Sequence, residues 1–150
     1  ASDLYGISKS LGEVDYSNAL TIRTSTVGHE NKSTDGLLEW FLSQKSSCNG
    51  FNRAIFSGLP TITLAKIIRD YILKDETLTG IYQIAAESID KLSLLELIAK
   101  TYGKKIKIIA DDSVVIDRSL SAKKFTQATG YTSPSWDALV REMHEDSEEI

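Results

Sequence analysis

Cysteine is nearly absent. Cys48 is the only one in 150 residues, which excludes an internal disulfide framework and any cysteine-cluster metal site. Histidine is almost as scarce: His29 lies in a polar stretch and His144 in an acidic one, with no His-x-x-x-His spacing between them. Both read as solvated side chains, and no metal is expected. Long apolar runs are missing too. The stretch Ile67–Leu73 is interrupted by Arg69 and Asp70, well short of the roughly 18 residues that span a bilayer. Nor is there a basic surplus, with 17 Lys and Arg against 21 Asp and Glu for a net charge of -4; a polyphosphate backbone finds little to bind, so neither a nucleic-acid nor a membrane partner is expected. A single thiol in a chain of this kind fits a reducing cytoplasm.

What remains is ordinary globular material, 41% hydrophobic and 25% charged, within the range of soluble domains. Two prolines and nine glycines are spread along the chain without forming a linker, so residues 1–150 read as one unit. The opening segment Ala1–Lys9 is neither an apolar signal nor a basic transit sequence and carries no initiator methionine, which fits either removal of that residue or the tail of a longer protein.

Strand-like and helix-like blocks alternate. Leu4, Ile7, Leu11 and Val14 recur at helical spacing, predicting an amphipathic helix over Asp3–Asp15. Ala19–Thr26 is short and β-branched, like a buried strand. Gly28–Thr34 reads as a loop, Thr34 or Asp35 as the cap of a helix from Gly36 to Lys45, and Ser46–Gly50 as a second loop. Phe51–Phe56 is a strand candidate before the turn residues Gly58 and Pro60. Thr63–Leu73 is helical, Ile81–Ala85 a strand, and Ser93–Gly103 a helix with Ser93 and Glu96 as capping box. Lys105–Ile109 follows as a strand, Ser121–Thr129 as a helix stopped by Gly130, and Pro134–His144 as a last helix before a frayed acidic end at Glu145–Ile150. The class is α/β, with too few strands for a complete doubly wound sheet.

Tyr5 and Lys9 carry the chemistry. Four residues apart, they share a face of the first helix. An ammonium about 5 Å from a phenolate, at an effective dielectric of about 20, stabilises it by roughly 3 kcal/mol, which suits proton transfer at an alcohol or carbonyl. The same spacing also suits a packed ring beneath a snorkelling lysine stem. Arg23, inside an apolar strand, calls for a structural partner. Cys48, with no base beside it, reads as an unreactive loop thiol. Trp136, at the start of the last helix, suits packing near Tyr131 as well as ligand contact.

The order of segments adds a resemblance. Tyr5-Gly6-Ile7-Ser8-Lys9 with Glu13, the strand Leu20-Thr21-Ile22-Arg23-Thr24-Ser25, the turn Val27-Gly28, the run Phe51–Gly58 leading into Leu64-Ala65, Asp117-Arg118-Ser119-Leu120, and Thr129-Gly130-Tyr131 with Pro134-Ser135-Trp136 together resemble the extended short-chain dehydrogenase/reductase family, in its dTDP-4-dehydrorhamnose reductase-like branch. The resemblance implies the C-terminal part of a Rossmann-type fold: the last sheet strands and a small substrate-binding region. It implies Tyr5 as the acid that protonates a sugar carbonyl oxygen and Lys9 as the residue that holds the nicotinamide ribose and favours the phenolate. Ser25 and Thr26, within Thr24–Val27, would line the nicotinamide and the sugar. Arg53 and Arg118 would meet a nucleotide diphosphate, although either could equally serve a surface salt bridge.

Two departures qualify it. Thr26 stands where rhamnose reductases commonly carry a tryptophan. No G-x-x-G-x-x-G or G-x-G-x-x-G turn occurs in the chain to receive a dinucleotide pyrophosphate. The implied function is therefore part of an NAD(P)-dependent 4-keto-sugar reductase of cell-surface polysaccharide biosynthesis, inactive alone and with no cofactor bound to this chain. A nucleotide-sugar epimerase or dehydratase, a non-catalytic nucleotide-sugar-binding module and a purely structural domain are the alternatives. A homodimer through the apolar first helix is a further expectation.

Overall fold

The computed structural model describes residues 4–14, 16–30 and 35–148. Asp3, Asp15, Thr34 and the last two residues, each assigned a place by the sequence reading, lie outside them. Over the described residues the order is α1 (Leu4–Leu11), β1 (Leu20–Arg23), β2 (Thr26–Val27), α2 (Leu37–Ser43), β3 (Ser47–Phe51), β4 (Ala54–Phe56), β5 (Leu59–Pro60), α3 (Thr61–Ile67, continued as a π-helical turn over Ile68–Ile72), β6 (Gly80–Gln83), β7 (Ile89–Asp90), α4 (Lys91–Thr101), β8 (Lys107–Asp111), β9 (Ile116–Asp117), α5 (Lys123–Thr129) and α6 (Trp136–Glu148). No helix among the described residues is long and apolar enough to cross a membrane.

The strands pair mainly in parallel, as the α/β reading requires. β1 runs parallel to β6, β2 to β5 and β3 to β8. The exception is a small three-stranded sheet in which β4 lies between antiparallel β7 and parallel β9. Two apolar clusters fill the interior. One gathers Leu38, Phe41, Leu94, Leu95, Ile98 and Val140 around α2, α4 and α6; the other gathers Leu59, Ile67, Ile84, Phe125 and Leu139. Each of these side chains is almost wholly removed from water, and burial of a Leu, Ile or Phe contributes about 1.5–3 kcal/mol.

Several sequence expectations need correction. Ser46–Gly50 is not a loop: Ser47–Phe51 is a strand, with Cys48 and Gly50 buried. The polar-looking segment extends because its inward positions are small. A Cβ on Gly50 would stand 2.7 Å from Leu92 Cδ1 and 3.0 Å from Leu92 Cα, so its hydrogen lets α4 lie against the strand. Cys48 is therefore a core thiol. Leu59–Pro60, expected as a turn, pairs with Thr26–Val27. The capping box at Ser93 is also displaced. Asp90 is the N-cap and its carboxylate accepts from Ser93 N at 2.9 Å and Ser93 Oγ at 2.7 Å, so α4 starts two residues earlier. The last helix starts at Trp136, and it continues through the expected frayed stretch to Glu148. Gly130 does stop α5, with φ of 74°.

Neither histidine is merely solvated. His29 Nδ1 lies 2.7 Å from Glu39 Oε1 and its Nε2 lies 3.0 Å from Tyr102 Oη. The His144 ring packs against Tyr102 with centroids 4.3 Å apart. Arg23 finds its structural partner in Glu13. Trp136 packs near Phe56 and donates its indole N–H to Glu87 O at 2.7 Å.

Candidate functional site

A cavity of about 540 Å³ opens where α1, the β1–β2 connection and the small three-stranded sheet meet. Its walls include Tyr5 from α1, Thr24, Ser25, Thr26 and Val27 after β1, Phe51 at the end of β3, and Arg118 just past β9. Tyr5, Ser25, Thr26 and Arg118, singled out from sequence, are thus brought to one place.

Local backbone contacts fix this geometry. Leu59 N donates to Ser25 O at 2.9 Å. A Cβ on Gly58 would lie 2.5 Å from the same oxygen, so glycine permits the close approach that holds the Ser25–Thr26 turn. α1 is fastened at its C-terminal foot. Thr21 Oγ1 donates to Val14 O at 2.7 Å and accepts from Val14 N at 3.1 Å, while Arg23 grips Glu13. That hydrogen-bonded arginine holds the Glu13 carboxyl below its ordinary range. No side chain of α1 is buried, and Tyr5 is 73% exposed.

Tyr5 and Lys9 share a face, and the Lys9 ammonium stands over the Tyr5 ring, 5.6 Å from its centroid. This is a cation–π arrangement. Lys9 does not itself line the cavity. Arg53 does not line it either. It sits in the turn between β3 and β4, where its carbonyl accepts from Ile116 N at 3.1 Å.

The sequence reading missed Lys91, the first residue of α4, which lines the cavity and also a smaller apolar niche of about 210 Å³ shared with Leu37, Trp40, Phe51 and Leu95. A lysine after an aspartate carries no pattern; only the sheet register reveals it. A larger hollow of about 690 Å³, lined by serines, threonines and Lys123 among others, contains none of the predicted site residues. Among the described residues, no three His, Cys, Asp or Glu side chains are grouped to hold a metal ion.

No family profile matches the sequence, and no curated protein matches it. Solved structures do match. The dTDP-4-dehydrorhamnose reductase of Bacillus anthracis str. Ames, solved in complex with NADP, superposes with a TM-score of 0.70 at 12% identity over 85% of this chain and 48% of its own. A hypothetical dTDP-4-dehydrorhamnose reductase from Sulfolobus tokodaii gives 0.64 at 23% identity, over 89% of this chain and 51% of its own. The fold is that of about half of an extended short-chain dehydrogenase/reductase. The UDP-N-acetylglucosamine 4-epimerase of Bacillus cereus is similar too, with a TM-score of 0.61 at 17% identity over 87% of this chain and 45% of its own. The chain therefore spans about half the length of the structures it matches.

On this fold, the hydroxyl and ammonium groups of α1 and the β1–β2 turn are of a kind that could meet one end of a dinucleotide. Tyr5 Oη, the Lys9 ammonium and Ser25 Oγ offer donors to a ribose and a nicotinamide ring. The 150 residues hold no Gly-rich turn for the pyrophosphate.

Proposed function

We propose that this chain forms the catalytic helix and substrate-binding part of an NAD(P)-dependent oxidoreductase acting on a nucleotide-linked keto-sugar, with reduction of a 4-keto-sugar as its reaction. The observation that supports this reading best is the single cavity lined by Tyr5, Ser25, Thr26 and Arg118, with the Lys9 ammonium over the Tyr5 ring.

The chemistry follows from the groups present. A reduced nicotinamide, when bound, supplies hydride to the carbonyl carbon. Tyr5 Oη gives its proton to the carbonyl oxygen, so that the ketone becomes a secondary alcohol. The Lys9 ammonium stabilises the phenolate left behind, Ser25 meets the nicotinamide end of the cofactor, and Thr26 orients the sugar hydroxyls through a hydrogen bond. Arg118 offers paired N–H donors to phosphate oxygens. The dinucleotide pyrophosphate is held by residues outside these 150, so the isolated chain is inactive and binds NAD(P) weakly or not at all.

The test is NADPH consumption with 4-keto nucleotide-sugars by the natural protein that contains these residues. Turnover that disappears in Tyr5→Phe supports the reading, and absence of turnover together with absence of dTDP and UDP binding overturns it. Steady NADPH oxidation by the 150-residue chain alone refutes the expectation of inactivity.

A further inference from the structure

Lys91 and Arg118 are drawn to one face by the register of the small sheet. Ile55 of β4 is opposite Asp90 of β7 on one side and Asp117 of β9 on the other. Because β7 is antiparallel to β4 and β9 parallel, the residue after Asp90 falls level with Ala54 and the residue after Asp117 falls level with Phe56. Ala54 and Phe56 are two apart on one strand and share a face. Lys91, Ala54, Phe56, Ile116 and Arg118 therefore belong to the same side of the sheet, and all five line the cavity.

The charges there are uncompensated. Each cation follows an aspartate, yet both aspartates are engaged elsewhere: Asp90 accepts from Ser93 N and Oγ, and Asp117 accepts from Ser119 N at 2.8 Å. The ion pairs of the described residues include neither Lys91 nor Arg118. No carboxylate is among the residues lining the cavity. In a chain of net charge -4, a recess holding two cations and no acid selects for an anion. Two strand spacings and two residue rises put the two Cα atoms about 12 Å apart, a span that two long side chains can close on an extended dianion.

We propose that Lys91, rather than Arg53, is the second cation of the site, and that with Arg118 it holds the pyrophosphate of a nucleoside diphosphate from the opposite side of β4. This rests on the nucleotide-sugar reading of the cavity and adds to it a residue that fixes the anion's position. Arg53, in the turn outside the cavity, has no part in it.

Titration calorimetry of the natural protein that contains these residues with dTDP, UDP and inorganic pyrophosphate tests this, using Lys91→Met, Lys91→Arg, Arg53→Met and Arg118→Met. The expected result is that Lys91→Met weakens dTDP or UDP binding about tenfold and flattens its salt dependence, Lys91→Arg restores both, and Arg53→Met changes neither. A thermal unfolding midpoint for each variant separates lost binding from lost folding. Should Lys91→Met fail to fold, Lys91→Gln replaces it. Wild-type affinity in Lys91→Met, or a loss that Lys91→Arg does not restore, overturns the role of Lys91 while Arg118-dependent binding leaves the nucleotide reading standing. Lys91-dependent binding of pyrophosphate with no gain for dTDP or UDP supports Lys91 as an anion ligand and overturns the nucleotide reading. Absence of binding by all three probes overturns both.

Discussion

Glu13 accepts two hydrogen bonds from the Arg23 guanidinium, from Nε and from Nη2, each at 2.6 Å. A bidentate pair of this kind fixes orientation as well as distance, and here it sets the foot of the helix that carries Tyr5 against the strand that leads to Ser25. The exposed pair adds little to global stability, so its effect is read locally.

The Glu13 carboxyl titrates below the ordinary 4.5, because Arg23 hydrogen-bonds its charged form. A lowered folded-state value means that the contribution is complete above pH 4.5 and is lost as pH falls through the folded value. Carboxyl-carbon NMR should place the Glu13 midpoint below 4.5, and Arg23→Ala should move it upward. A midpoint unchanged by that substitution contradicts the account.

Gly50→Ala should destabilise the chain by about 1–3 kcal/mol, since the new methyl meets the Leu92 Cα at 3.0 Å as well as the side-chain ends of Leu92 and Ile108 at 2.7 and 2.9 Å. Leu92 adjoins Lys91, so the displacement should also weaken dTDP or UDP binding. Urea denaturation and calorimetry on the same variant check the two effects together.

On the proposed function, Tyr5→Phe removes the proton donor and leaves the ring. Keto-sugar reduction by the natural protein should fall by about 10²–10⁴-fold, with nucleoside diphosphate affinity within about twofold of wild type. A comparable loss of affinity would make Tyr5 a binding group and not an acid.

Cys48 should resist thiol reagents at neutral pH. Burial raises its pKa, opposed in part by the Lys104 charge, and its side chain faces the core between α2 and α4. Labelling with a disulfide reagent should therefore track unfolding, with the thiol reacting freely in denaturant; fast labelling of the native chain would place it at the surface.

Glu142 ties α6 to α3, accepting from Lys66 Nζ at 2.6 Å and from the Thr63 hydroxyl. Burial pushes its carboxyl up, but these donors outweigh burial and leave it below the ordinary value. Glu142→Ala, which strands the buried Thr63 hydroxyl, should cost about 1–3 kcal/mol in urea denaturation. A change under about 0.3 kcal/mol would show the contact to be idle.

Elements with a local signature were legible from sequence. Gly130 stops α5 because the left-handed position there favours glycine, and α2 forms within the Gly36–Lys45 stretch read as a helix. The Tyr5–Lys9 pairing was visible for the same reason, being a matter of one helical turn. β3 was not legible: Ser-Cys-Asn-Gly-Phe has little β-propensity, and it extends because β8 supplies a ladder and α4 covers it. Lys91 was hidden on similar grounds. Its relation to Arg118 runs through β4, and pairing between strands that are distant in sequence leaves no periodic mark on any of them.

The Tyr5 ring rides about 10 Å above the foot of α1, on a helix none of whose side chains is buried. A tilt of only 10° about the Thr21 and Arg23 anchorage would carry the phenol nearly 2 Å, by simple lever arithmetic on that length, and an error of about 1 Å at a reacting atom can cost a hundredfold in rate. A surface placed against the outer side of that helix would limit its swing and so, on the proposed function, hold the phenol in register.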